Sequence, residues 1–169
     1  MTPVERLRQD HAVIRAKLEL LENALTMGGD AAFAVRELVY SIHHRLAEHE
    51  QREDVELYPV LQETLADPQS EFAKSLSLEH EGHEYLLHAL HLLTLRGPHM
   101  PMERVAKLAR EFITGLREHI DREERLLFPV LERLTADREV AQRVEDAAGA
   151  DDERLESDER GTAEPFVFG

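Results

Sequence analysis

His49 and Glu53 lie four residues apart, and His119 and Glu123 repeat that spacing 70 positions later, inside EHEQREDVELYPVL and EHIDREERLLFPVL. Two further histidines keep almost the same step: His11 follows Asp10, and His80 follows Glu79, 69 positions on. Residues i and i+4 of an α-helix share one face about a turn apart, so each His–Glu pair can reach one metal ion or two adjacent ones. His11 and His80 continue the apolar stripes of their own helices and so point inward. Four imidazoles and two carboxylates then converge on one axis. Nitrogen and oxygen donors without thiolate suit iron, manganese or zinc. A glutamate at the same place in each half can bridge two ions. A lone inward histidine is ordinarily a hydrogen-bonded core residue, but burying six matched polar groups unpaired would cost too much for that explanation. His43, His44, His88, His91 and His99 lack the repeat relation and read as solvated or supporting residues.

The elements that must position these groups are four long helices. Thr2-Pro3-Val4-Glu5 reads as a capping box with proline at the first helical position. Leu7, Ile14, Leu18, Leu21 and Leu25 then recur at helical spacing. Gly28-Gly29 stops that helix, and Asp30 is expected to cap the next. The second helix carries Val35, Leu38, Ile42, Leu46, Leu57 and Val60. The third starts at Asp67-Pro68, carries Leu76, Leu87 and Leu90, and ends at Arg96-Gly97-Pro98. The fourth begins near Pro101 and carries Val105, Leu108, Phe112, Leu116 and Val130. Helices two and four align residue by residue at offset 70, and helices one and three at offset 69. The whole hairpin is therefore repeated, which predicts an all-α, up-down-up-down four-helix bundle over residues 1–136. Pro59 and Pro129 should kink or end their helices just beyond the glutamates. Residues 137–169 read as a short helix over 137–148 followed by an acidic, mobile tail that ends in the apolar Pro165-Phe-Val-Phe-Gly.

Composition excludes several classes. A chain of 169 residues is one domain's length, and it contains no cysteine, so thiolate sites and disulfides are absent. The formal net charge of −15 argues against nucleic acid or an anionic membrane as a partner. No zincin His-Glu-x-x-His and no Glu-x-x-His occurs, which removes two other metal scaffolds. With no long apolar run and no leader pattern, the expectation is a soluble, cytoplasmic protein.

On His11, His49-x-x-x-Glu53, His80 and His119-x-x-x-Glu123, with a Leu-Tyr/Phe-Pro element after each carboxylate, the chain resembles the hemerythrin-like (HHE cation-binding) domains over about residues 4–134. The resemblance implies two non-haem iron ions in a four-helix bundle, bridged by carboxylates and a solvent-derived oxo or hydroxo group. It implies that His11 and His49 serve one iron, His80 and His119 the other, and that Glu53 and Glu123 bridge. Two departures stand out. Oxygen-carrying hemerythrins have a second histidine four residues after the first on the third helix, where this chain has Glu84. They also use an aspartate five residues after the fourth helix's histidine, where Glu123, four residues on, is here the more natural ligand. The halves differ from each other as well: Glu50 aligns with Ile120, His83 with Ile14, and Glu84 with Arg15. Glu50, His83 and Glu84 therefore join the candidate ligand set, either touching metal directly or through water, or standing behind the ligands.

The expected function is that of a di-iron protein that binds or reacts with dioxygen, hydrogen peroxide or nitric oxide, with peroxide detoxification by catalase-like or oxidase-like chemistry as its sharpest form. Glu84 in place of histidine would favour ferric iron, because anionic oxygen donors stabilise the higher charge. The alternative is an iron- or oxygen-responsive sensor or binding module without turnover, in which metal orders the bundle and a protein partner reads the change.

Overall fold

The computed structural model describes residues 1–136 together with 142–143 and 145–146. Within residues 1–136 six α-helices follow one another: α1 (Pro3–Leu25), α2 (Ala32–Arg52), α3 (Tyr58–Thr64), α4 (Gln69–Thr94), α5 (Met102–Arg122) and α6 (Phe128–Thr135). The capping box at the start of α1 is formed: Thr2 Oγ1 accepts from the Glu5 amide at 3.1 Å, and the Glu5 carboxylate accepts from the Thr2 amide at 2.7 Å. Gly28 and Gly97 sit at φ +67° and +57°, a region that glycine enters without steric penalty, and both α1 and α4 stop just before them. Asp30 does not cap α2. A 3-10 turn, Gly28–Ala31, absorbs it, and the capping position falls on Ala31, whose methyl group cannot accept a hydrogen bond.

The two prolines act differently from the simple expectation of a kink or stop. Glu53–Leu57 and Glu123–Leu127 are π-turns, closed by the Tyr58 amide bonding to the Glu53 carbonyl and the Phe128 amide to the Glu123 carbonyl. Pro59 and Pro129 follow as second residues of α3 and α6. Proline has no amide hydrogen for the α pattern, and its ring crowds the carbonyl four residues back. Widening the turn just before it relieves both problems, and the chain runs on as a short helix. Single π-turns of this kind are characteristic of functional sites.

Helices α1, α2, α4 and α5 pack in a ring, each against the next and α5 back on α1. This is the expected all-α four-helix bundle. The apolar core is split along the bundle. One cluster gathers Ile14, Leu18, Leu21, Val35, Ile42, Leu46, Leu87, Leu90, Phe112, Leu116 and Ile120. The other gathers Val4, Leu7, Leu57, Tyr58, Leu61, Leu76, Leu127, Phe128 and Leu131. Leu38 and Leu108 are only partly buried, and their repeat-related neighbours Val39 and Ala109 hold the interior instead. The stripe is turned by one residue in both halves alike. Most of the expected helix over 137–148, and the acidic tail to Gly169, lie outside the described residues; residues 142–143 and 145–146 within it are helical. No described helix is long and apolar enough to cross a membrane.

Candidate metal centre

A polar belt separates the two apolar clusters. His11, His49, Glu53, His80, His119 and Glu123 are all at least 95% buried. Their donor atoms form two overlapping quartets. His11, His49, Glu53 and Glu123 bring one ligand atom each to within 4.8 Å of one another, and so do Glu53, His80, His119 and Glu123. The two glutamates belong to both quartets, so either can span two neighbouring ions. The i, i+4 spacing does what was expected of it: His49 Nε2 lies 3.3 Å from Glu53 Oε1, and His119 Nε2 lies 3.3 Å from Glu123 Oε1. Both oxygens of Glu53, one of Glu123, and the Nε2 atoms of His80 and His119 have no hydrogen-bond partner. His11 Nε2 and His49 Nε2 face each other at 3.0 Å, which two lone pairs cannot do without a proton or a cation between them. Buried donors left unpaired and aimed at common points fit bound cations.

Behind each imidazole stands a carboxylate. His11 Nδ1 meets Glu124 at 2.9 Å, His80 Nδ1 meets Asp54 at 3.1 Å, and His119 Nδ1 meets Glu79 at 2.9 Å. The fourth contact, His49 Nδ1 to Asp10, is longer at 3.6 Å and is an ion-pair approach, not an aligned hydrogen bond. Such partners fix the ring's orientation and leave Nε2 free to ligate. These four carboxylates escaped the sequence reading as functional groups, although the signal was present. Asp10 and Glu79 are related by the 69-residue offset, and Asp54 and Glu124 by the 70-residue offset. Arginines close the outer layer in the same symmetric way. Arg52 donates to Asp10 at 2.5 Å, and Arg122 donates to Glu79 at 2.5 and 2.7 Å. Arg45 also donates to Asp10.

The carboxylates of this belt favour the protonated forms of three of its histidines, His49, His80 and His119. Burial favours neutral His80, but its contacts with Asp54 and Glu53 and the nearby Glu50 charge outweigh this and push it up to about 10. His49 and His119 are raised as well: burial opposes the charge, and the adjacent Glu53 and Glu123 win. Burial would raise Glu123, but His11 and His119 hold it well below the usual carboxylate range. Protonation of these imidazoles competes with metal binding, because a ligating imidazole must be neutral.

The remaining candidates lie beside the quartets and in neither of them. His83 Nδ1 and Glu50 Oε1 bond each other at 2.7 Å, both buried, with the His83 ring 4.9 Å from that of His119. Glu84 is exposed and lines a cleft of about 420 Å³ between α2 and α4. Its place in the sequence suggested a tuning ligand, but on α4 it lies one residue, or about 100°, beyond the inward His83. Tyr58, which the sequence reading did not single out, donates its hydroxyl to Glu123, and burial keeps that phenol protonated. Its counterpart Phe128 has no hydroxyl and stacks on His11, with ring centroids 5.3 Å apart. His44, His88 and His99 are exposed, and His43 and His91 are partly buried away from the quartets.

The comparisons with known proteins agree with this arrangement. A family model described as "Hemerythrin HHE cation binding domain" matches residues 2–131, the segment that carries every ligand candidate. No curated protein and no solved structure matches the chain.

Proposed function

The chain belongs to the hemerythrin HHE cation-binding domain family, and from that premise we propose that it is a non-haem di-iron protein that binds and reacts with small oxidants, dioxygen and hydrogen peroxide foremost. The observation that carries the proposal is the pair of quartets sharing Glu53 and Glu123. His11 and His49 would hold one ion, His80 and His119 the other, with both glutamates reaching both. Four protein donors per ion leave room for a small ligand, and bound iron would supply Lewis acidity and one-electron redox change at that place.

The chain's own residues prepare the site for such chemistry. Asp54, Glu79 and Glu124 fix three imidazoles through their Nδ1 atoms and so set the direction in which each Nε2 points. Leu57, Leu127 and Phe128 on one side, with Ile14 and Ile120 on the other, keep bulk water out and lower the local dielectric. Tyr58 holds a proton against Glu123 at the edge of the site. The His83–Glu50 pair places a second exchangeable proton beside His119.

The test is elemental analysis of protein expressed in iron-replete medium, followed by absorption of the reduced protein on mixing with oxygen and by consumption of added peroxide. Two irons per chain with rapid oxidation or peroxide loss supports the proposal. Two irons with inertness to both reagents would leave an iron-responsive binding module. A folded chain that takes up no metal from ferrous salt would overturn the metal reading itself.

A further inference from the structure

The repeat that builds the centre also builds two grooves, one between α1 and α5 and its counterpart between α4 and α2. They have opposite character. In the α1–α5 groove Arg15 spans Glu124 at 2.8 Å and Asp121 at 2.6 Å, and Arg8 and Arg117 flank it. The latch lies between solvent and the Glu124 carboxylate that holds His11. In the counterpart groove, Arg15 is replaced by Glu84, Ala12 by Glu81, and Arg117 by Ala47. The result is the α2–α4 cleft, lined by Glu50, Asp54, Glu81 and Glu84 with no lysine or arginine. His80, which is 95% buried, forms part of the same lining, and its Nε2 has no partner. One pseudo-symmetric groove is therefore barred by a cation, while the other runs from exposed carboxylates to the buried His80, whose Nδ1 is held by Asp54 of the same lining and which belongs to the second quartet.

We infer that the α2–α4 cleft is the route by which divalent cations enter and leave the centre, with the exposed Glu81 and Glu84 at its mouth and the buried Glu50 and His80 at its inner end. The inference rests on the metal-centre reading above and adds a direction to it. A negatively lined, low-dielectric cleft raises the local concentration of cations and speeds their arrival. Exposed glutamates suit this use because hard divalent cations exchange oxygen ligands without a fixed cage. Glu84, which belongs to neither quartet, thus acquires a function that does not require it to be a ligand.

The experiment is a matched pair of charge reversals on the full-length protein. Glu84→Arg reproduces in the α2–α4 cleft the residue that bars the other groove. Glu19→Arg makes the same change of charge on an exposed glutamate lining the α1–α5 groove. Two rates are read: capture of Fe2+ by metal-free protein without oxygen, and loss of iron from loaded protein to a coloured chelator. Glu84→Arg should slow both rates by about fivefold or more at low salt, with unchanged iron content at saturation. Glu84→Gln should slow them less, and Glu19→Arg should leave both near the unmutated values. Equal slowing by the two reversals, or no slowing by Glu84→Arg, overturns the route. A change in final iron content without a change in rates would make Glu84 a structural contributor and also overturn it. Failure of the unmutated protein to bind iron overturns the centre, and the route with it.

Discussion

The two halves of the bundle agree in everything that touches the candidate ions and disagree in the layer around them. The histidines, the glutamates, the outer carboxylates and the arginines Arg52 and Arg122 behind two of them recur at offsets of 69 or 70, whereas Arg45 and Arg15, which hold Asp10 and Glu124, align with Gly115 and Glu84. Ile14 and Ile120 are buried apolar residues, and their counterparts His83 and Glu50 form a buried polar pair. Phe128 stacks on an imidazole where Tyr58 sends a hydroxyl to a shared carboxylate. Arg15 latches one groove, and Glu84 leaves the other open. Symmetric ligands thus sit in an asymmetric setting, which is how one donor set can hold two ions in different surroundings. The lesson is that similarity between the halves marks what binds, and divergence marks what differentiates.

The strongest test of the symmetric part is Glu53→Ala. Because Glu53 belongs to both quartets, its loss should drop metal content from two per chain toward none, whereas His80→Ala, in one quartet, should spare more. Elemental analysis and melting temperature read both, with His99→Ala as the unaffected control. Equal metal content in Glu53→Ala and His80→Ala would break the shared-ligand assignment.

The asymmetric part is tested by making the halves alike. His83→Ile alone leaves buried Glu50 without its partner and should destabilise the protein by about 3–5 kcal/mol in denaturant unfolding. Adding Glu50→Ile recreates the apolar pair of the other half and should recover most of that loss. A double variant as unstable as the single would show that volume, not charge pairing, governs this position. A smaller loss is expected from Tyr58→Phe, which copies Phe128. It removes one hydrogen bond to a charged group, about 1.5–3 kcal/mol, while Phe128→Leu should lose the stacking on His11, the contact with Arg8 and part of the core packing, but no hydrogen bond.

The gentlest perturbation is pH, and its sign differs between metal-free and loaded protein. His80, His49 and His119 are raised in the metal-free fold. Their contribution is therefore fully present below the ordinary histidine value, about 6.5, and fades as pH rises toward the value near 10 of His80. Glu123 is depressed, so its contribution is present above the ordinary carboxylate range and is lost only in strong acid. Metal binding needs neutral imidazoles and so strengthens as pH rises. The gap in melting temperature between loaded and metal-free protein should widen steadily from pH 6 to pH 9. A constant gap would mean that loading displaces no protons.

Periodicity along single helices makes the bundle and the six central donors readable in the sequence. The i, i+4 pairs and the apolar stripes through Leu18, Leu46, Leu87 and Leu116 are properties of one helix at a time. What escaped depends on neighbouring helices. Asp10 adjoins His11 in sequence yet approaches His49, and Asp54 adjoins Glu53 yet bonds His80. Such contacts cross from helix to helix, so spacing on one face cannot reveal them. The placement of Glu84 depends on how far α4 is rotated about its axis, which the apolar stripe sets only to within a residue. The π-turns were likewise missed, because proline signals only that the α pattern must be relieved, not how.

Those π-turns have a historical consequence. In an unbroken α-helix, positions i and i+5 point well apart, so Tyr58 would face away from the direction of Glu53. One added residue turns the following segment by roughly 100° and brings Tyr58, like Phe128 in the other half, under the metal belt. The device amounts to a single-residue insertion, and it stands at the same register in both halves. One insertion before the hairpin was copied accounts for both turns, whereas an insertion after copying would have to happen twice. On this lineage the ancestral unit would be a lone hairpin with two histidines and one glutamate. Such a unit is half a centre, and it would complete the site by pairing with a second copy of itself.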